Sequence, residues 1–417
     1  MPLDENVADL SKAQIVKAAQ FVAGLYIGTE VLSGPLKVLL FQTSLAPLYY
    51  IPKVLLLALP LIHILITWKV SIRLVAVMAT IMIACATNLA IFTNPEQTVF
   101  GLYILAPFLY TLYFGEQLID RSFLVFAKAA WAVATIGVAV NIFIEFPWAT
   151  AELTLGDTTM TAVRQWSTNG ISRIAGFSGA SYSAATQIMA LGVLIICQGR
   201  QRLKIVYFAL TFLAVTATTT KGAMGALLVF ALFYVWRWKL AYSATAIALL
   251  AANVVLPLYA YSVYSKGTAV DMSTPTETYF GFISIHTMFE RANWMWPMSL
   301  EFIFDKGNAL LGLGIGGVGT PLSRFYDNTL VFASVDSLFI YLFGSIGLLA
   351  IALLIFTAHK AAKLQWEPSR ELFPKLLIIT TLAYGITNSP VERGVYVFLL
   401  GIALASRPKA IKAEDRF

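Results

Sequence analysis

The chain has 417 residues, of which 59% are hydrophobic and only 12% charged, with a mean hydropathy of +0.76. That balance excludes an ordinary soluble domain, in which roughly a quarter of the residues are charged. The formal net charge of +7 would suit a nucleic-acid binder, but in so apolar a chain excess Lys and Arg mark cytoplasmic loops, and no nucleic-acid partner is expected.

Apolar runs of about 18–22 residues recur, long enough to cross ~30 Å of hydrocarbon as helix. Helices satisfy their own backbone groups where water is absent. The runs do not alternate in polarity as barrel strands do. The reading is therefore an all-α polytopic membrane protein, residues 1–417 forming one integral membrane domain. The N-terminus, MPLDENVADLSKAQIVKAAQ, lacks the basic start and cleavage site of a signal peptide. The first spans then serve as insertion signal, which suits a bacterial inner membrane. Cys85 and Cys197 each lie inside an apolar run and read as small core residues rather than a disulfide.

In chain order, residues 14–46 hold one span, with room for a half-helix, broken by Lys17, Glu30, Gly34, Pro35 and Lys37. Spans follow at about 47–66, 74–92, 97–114 and 123–144. A polar segment rich in Thr, Ser and Gly covers 145–181. Spans resume at about 182–198, 204–220, 222–236 and 240–262. A second, larger polar interruption runs over 263–335. The last spans lie at about 336–358, 376–390 and 394–406, giving about twelve in all.

Basic residues in short loops orient this series. Lys69 with Arg73, Arg200 with Arg202 and Lys204, Arg237 with Lys239, Lys360 to Lys375, and the tail cations Arg407, Lys409 and Lys412 all fall on one side. That side is the cytoplasm, so both termini face inward. The segments 145–181 and 263–335 face outward.

Five cations break the pattern: Arg164, Arg173, Lys221, Arg291 and Arg393 fall at the outer face. Charges at membrane depth are costly and usually face a cavity or a partner. They could simply pair with Glu152, Glu290 and Glu392, or snorkel to headgroups. Five at one level instead suggest an anion site, and on that face a lipid-linked diphosphate is a natural anion.

Lys221 follows the hydroxyl run of TATTTKGAMGALLVF and puts a cation at a helix start, already favourable for anions. Alternatively the segment is a tight turn, with Gly222 and Gly225 easing helix packing. The run GLGIGGVG lacks a βαβ context and reads as a flexible loop that lets backbone approach a ligand or helix. Residues 276–305 mix aromatics and charge, as a helix in the headgroup layer does, with Trp294 and Trp296 as anchors. Arg291 on it could point into the cavity. Asp336 opens SVDSLFIYLFGSIGLL. It reads either as a helix cap or as a general base for an attacking hydroxyl. Beside cations an aspartate titrates low, which makes it a weaker base but a good orienting group. The histidines, His63, His286 and His359, are dispersed, so no metal site is expected.

With these residues in view, the chain resembles the O-antigen ligase and Wzy-polymerase superfamily of membrane glycosyltransferases. Four pieces carry the likeness, in order. RIAGFSGASYSAATQIMALGVLI from Arg173 is similar to an R-x-x-G-x-x-x-x-P-N-x-x-A segment, and TTTKGAMGALL to an S-R-G-A motif. RANWMWPMSLEFIFDKGNALLGLGIGG is similar to R-x-x-x-W followed by G-x-G-x-G, and VDSLFIYLFGSIGLL to H-N-x-x-L-x-x-x-x-x-x-G-x-x-G. Lys221 stands where Arg is usual, which keeps a point charge but loses bidentate geometry. Asp336-Ser337 stands where ligases have His-Asn, which favours a polymerase.

The resemblance implies a bundle of about twelve spans like the C-type glycosyltransferases, with a large periplasmic loop and no cofactor or metal. It implies transfer of glycan from undecaprenyl diphosphate, most like the polymerases of secreted exopolysaccharides such as xanthan. Arg173, Lys221 and Arg291 would hold the diphosphate, with Arg164 and Arg393 as weaker members, and Arg291 would stabilise the departing charge. Asp336 would activate the acceptor. Tyr279, Trp294 and Trp296 would stack on sugars. The partners implied are an undecaprenyl-diphosphate-linked oligosaccharide, membrane lipid, and a flippase and chain-length or export proteins of the same pathway. The alternatives are a ligase acting on a lipid or protein acceptor, and a transporter or flippase. Transporters often show two repeated halves, and no repeat is evident here.

Overall fold

The computed structural model describes residues 5–43, 45–67, 71–155, 158–164, 167–168, 171–198, 201–267, 279–280, 283–284, 286–326, 335–364, 366 and 371–406. Lys69, Arg200, Arg370 and the tail cations Arg407, Lys409 and Lys412 lie outside the described residues, as do 268–278 and 327–334 of the long polar stretch.

Helix α1 (Glu5–Val31) meets α2 (Ser33–Gln42) at a 90° bend. The expected half-helix is thus α2. Next come α3 (Ile51–Thr67), α4 (Ile72–Phe92), α5 (Pro95–Leu118) and α6 (Arg121–Asn141). Their starts are set by local chemistry. The side chains of Ser71, Asn94 and Asp120 accept the first free N–H groups of α4, α5 and α6, and Pro95 opens α5 where no N–H is needed.

Among the described residues of the polar segment 145–181 are two antiparallel strand pairs. They join β1 (Glu152–Leu155) with β2 (Thr158–Thr161), and β3 (Ser167–Thr168) with β4 (Ile171–Ser172). Helices α7 (Ser181–Gln198), α8 (Lys204–Ala217), α9 (Lys221–Val235) and α10 (Lys239–Tyr264) follow. The long polar stretch contains hairpin β5 (Tyr279–Phe280) and β6 (Ile283–Ser284), then α11 (His286–Glu290), α12 (Trp296–Lys306) and α13 (Thr320–Phe325). The chain ends with α14 (Leu338–Ile346), α15 (Leu349–Lys363), α16 (Leu372–Gly385) and α17 (Gly394–Ala405).

Among the described residues, six helices are long and apolar enough to cross a membrane, and the bent pair of α1 and α2 makes a seventh. Helices α8, α9, α16 and α17 are apolar but shorter. Together they define an all-α membrane protein. Burial is graded across it. Helices α7, α16 and α17 are enclosed on nearly all sides, as expected of helices apolar all round. Helices α3, α4 and α10 turn Ile66, Met82 and Ile247 outward, the face a lipid belt covers. Cys197 is buried in α7 and Cys85 half-buried in α4, both free thiols.

The glycine run overturns one expectation. It is no free loop but a buried wedge. Leu313 N–H donates to Gly344 O at 2.6 Å and Ile315 N–H to Ala84 O at 3.1 Å. Asn88 and Gln97 donate their side-chain amides to Leu313 O and Gly316 O. Gly314, at φ +83, lies so close to α4 that a Cβ would stand 2.5 Å from Asn88 N. Only glycine allows that approach with that backbone.

The wedge also explains a second correction. The expected single span 336–358 is two helices, α14 and α15, broken at Gly347 (φ +58). There the Leu348 N–H bonds to Ala309 O at 3.0 Å. Likewise the span expected at 376–390 is the buried helix α16. It ends at Gly385 and leaves 386–393 as a turn.

Candidate functional site

Ends of α1, α7, α9, α14, α16 and α17 meet on one side of the bundle. Arg291 arrives there through a fault in helix geometry. Residues Arg291–Met295 wind as a π turn between α11 and α12, with Trp296 N–H bonding back to Arg291 O. Such turns reorient side chains and recur at functional sites. Arg291 Nη2 lies 2.8 Å from Asp336 Oδ2, and Nη1 donates to Thr287 O at 3.1 Å. The two side chains are 16% and 18% exposed, so the pair stays partly open rather than sealed in the core.

Asp336 is not the cap of its helix. Ser337 Oγ accepts the Ile340 N–H and caps α14, which leaves the Asp336 carboxylate to Arg291. Trp296 Nε1 donates to Asp336 O at 3.2 Å and fixes the backbone behind it.

Arg173 leaves β4 just before a tight turn. Gly176, at φ +60, presses against Val138 N, and its N–H donates to Asn141 Oδ1 at 3.0 Å. Ser178 Oγ bonds Gln187 Oε1, and Gly179 N–H donates to Ser33 Oγ, so the turn is locked to α7 and α2. Burial beside the like charge of Arg291 pulls Arg173 below the ordinary arginine value, with Asp336 opposing.

Lys221 begins α9 after a turn in which Thr219 takes φ +55. It lies within electrostatic reach of Arg173, Arg291 and Glu290. Gly222 does allow close packing, against Asn388 and Thr387, whereas Gly225 has open space around it. Arg393 opens α17 and lies over the Tyr182 ring, 3.9 Å from its centroid. Its charge reaches Tyr384, Glu392 and Asp336.

Three of the five sequence-predicted cations, Arg173, Arg291 and Arg393, therefore lie within electrostatic reach of Asp336, and a fourth, Lys221, stands beside Arg173 and Arg291. Arg164 is exposed, and its backbone N–H donates to Gly179 O at 2.9 Å. Glu392 does more than balance charge. It accepts Thr320 N–H at 2.7 Å and Thr320 Oγ1 at 3.0 Å and so anchors α13. Burial raises its carboxyl above the usual range, against the pull of Arg393 and of Thr320.

Four buried polar atoms on these same segments have no hydrogen-bond partner: Arg291 Nε, Arg393 Nε, Ser181 Oγ and Ser389 Oγ. Burying such groups unsatisfied is costly, and their grouping is what a polar ligand would relieve. Among the described residues no three His, Cys, Asp or Glu side chains are grouped as a metal would need.

The aromatic residues behave differently from expectation. Trp296 is 2% exposed and spent on Asp336. It offers no free face to a sugar or to headgroups. Trp294 is 43% exposed and remains available. Tyr279 lies on β5, paired with Ser284, and its side chain lies outside the described residues. The segment read as a headgroup-layer helix is instead docked, with α12 burying Leu300 and Ile303 against α10 and α14.

Sequence reading missed the π turn, Tyr182 and Tyr384. None carries a local signal. A tyrosine in an apolar run reads as core until the fold brings a guanidinium to it.

The chain matches no protein-family model, no curated protein and no solved structure.

Proposed function

We propose that this protein is an exopolysaccharide repeat-unit polymerase of the inner membrane, working on its periplasmic side. The carrying observation is the gathering of Arg173, Arg291 and Arg393 around Asp336, with Lys221 beside the first two, at one end of the bundle. In this reading the chain crosses about twelve times, with α14 and α15 counted as one broken span. Both termini are cytoplasmic. The end holding Asp336 is periplasmic.

The donor is the growing glycan on undecaprenyl diphosphate. A hydroxyl of the incoming lipid-linked unit attacks the anomeric carbon as the bond from that carbon to the diphosphate oxygen breaks. The electron pair leaves with the diphosphate. Arg173, Lys221 and Arg291 stabilise that charge where it develops, the most productive use of fixed cations. Asp336, held by Arg291 and by Trp296 through its backbone, accepts the hydroxyl proton. The Arg291 ion pair suits both roles, because the diphosphate can draw the guanidinium away and free the carboxylate.

Lys221 adds support. A cation at a helix start opposes the helix dipole, a cost an anion bound there offsets. The test is purified protein supplied with lipid-linked repeat units alone. Wild type lengthens the glycan. If stably inserted Arg291→Ala and Asp336→Ala variants lengthen it at the wild-type rate, the assignment is wrong.

A further inference from the structure

A second polar cluster lies one residue away from the first. Glu30 on α1 forms an ion pair with Lys53 on α3 at 2.9 Å, the two side chains 15% and 20% exposed. Lys53 Nζ lies 4.8 Å from the Tyr103 ring centroid on α5, and Lys37 lies over Tyr49 at 5.5 Å. Tyr26 faces the same carboxylate, and its hydroxyl is buried without a hydrogen-bond partner. Gly394 closes the distance to the cation site. A Cβ there would stand 2.7 Å from Tyr26 Oη and from Glu30 Cδ, and the residue before it is Arg393. On its other side, Tyr103 lines an open cavity of about 450 Å³ with Tyr50, Phe100, Glu96 and Arg324. The cluster thus stands between the cavity that Tyr103 lines and the backbone beside Arg393.

Structural need does not explain this cluster. An ion pair inside a bundle of helices costs desolvation that its attraction barely repays, and here it stays partly open. Tyrosines supply ring surface with a hydroxyl at the tip. Beside them stand a carboxylate that accepts and ammonium groups that donate. That combination suits a pyranose, which has apolar C–H faces and a rim of hydroxyls, better than an acyl chain or a bare phosphate.

We propose that Glu30, Lys53 and Tyr103 form a subsite for the acceptor glycan, holding it beside the cation cluster that begins at Arg393. This rests on the polymerase reading for which substrate is the acceptor, but not for sugar binding itself. The probe is the lipid-free repeat-unit oligosaccharide of the strain that carries the gene, titrated onto the full chain in nanodiscs. Wild type should bind it. Lys53→Met and Tyr103→Ala should each weaken binding by about tenfold or more, as truncation of a central contact does. Gly225→Ala, exposed on α9 with nothing within 4 Å and outside the cluster, should hold binding within about twofold.

The double exchange Glu30→Lys with Lys53→Glu keeps the ion pair and controls for folding. It should restore thermal stability but not binding. If it restores both, the pair is only a brace and the proposal is overturned. Unchanged binding in folded Lys53→Met and Tyr103→Ala, or no binding by wild type, also overturns it. The polymerase reading fails separately, if Arg291→Ala lengthens lipid-linked glycan normally.

Discussion

The two ends of the bundle both hold buried cations, and they treat them in opposite ways. At one end Lys375, 2% exposed, donates to Ala361 O at 3.1 Å and Leu364 O at 2.7 Å, and lies between the rings of Tyr242 and Trp366. Lys360 donates to Leu404 O. These carbonyls belong to the last turns of α15 and α17, where a cation is favoured by the dipole and by unpaired acceptors. At the other end Lys221 and Arg393 stand at helix starts, and Arg173 is crowded by Arg291. The first end is chemically closed. The second holds positive charge that Asp336 offsets only in part, with buried donors left over. Buried donors with no acceptor, Arg291 Nε and Arg393 Nε among them, are the mark of a ligand's place.

The largest effect that would break this contrast lies in the Arg291–Asp336 pair. Removing one fixed donor to a developing anion typically slows reaction by roughly a hundredfold or more. Arg291→Ala should do so in the glycan-lengthening assay, and so should Asp336→Ala. Because they act as a unit, the double variant should be scarcely slower than either single one. Multiplicative losses would show two independent residues and dissolve the site as drawn.

Next comes the wedge that carries α13 and the π-turn segment to the open end. Gly314→Val places a β-branched side chain at φ +83 against the backbone of α4. The expected result is loss of stably inserted protein, seen as aggregation on detergent extraction. A folded, monodisperse variant would mean the wedge can back out. The sequence displayed these glycines but not their use. Spacing alone reads GLGIGGVG as slack chain, because several of the backbones it meets are more than 200 residues away, as Gln97 is from Gly316. Membrane class, most helices and the outlying cations were legible, since composition and local charge carry them. Helix caps at Ser71, Asn94 and Asp120 are local too. The break at Gly347, the π turn and the burial of Trp296 depend on partners distant in sequence and were not.

The contrast is sharpened by exchanging one lysine at each end. Lys375→Met strands Ala361 O and Leu364 O in a closed site, at about 1–3 kcal/mol for each unpaired group. Its melting temperature should drop. Lys221→Met removes a repelled charge, so its melting temperature should hold or rise while glycan lengthening falls. Lys221→Arg keeps the charge and should recover most of that activity. Equal melting losses at the two ends would make Lys221 structural.

The smallest effect uses two glycines one turn apart on α9. Gly222→Ala drives a methyl into Asn388 in the turn that carries Glu392 and Arg393, so it disturbs the open end even if the amide swings aside. Gly225 has nothing within reach and is exposed. Alanine there should raise stability by about 0.5–1 kcal/mol through the helix backbone. Glycan lengthening measured for both should fall in the first and stay level in the second. If Gly225→Ala is as harmful as Gly222→Ala, α9 acts as a whole, and the site extends beyond the helix start where Lys221 sits.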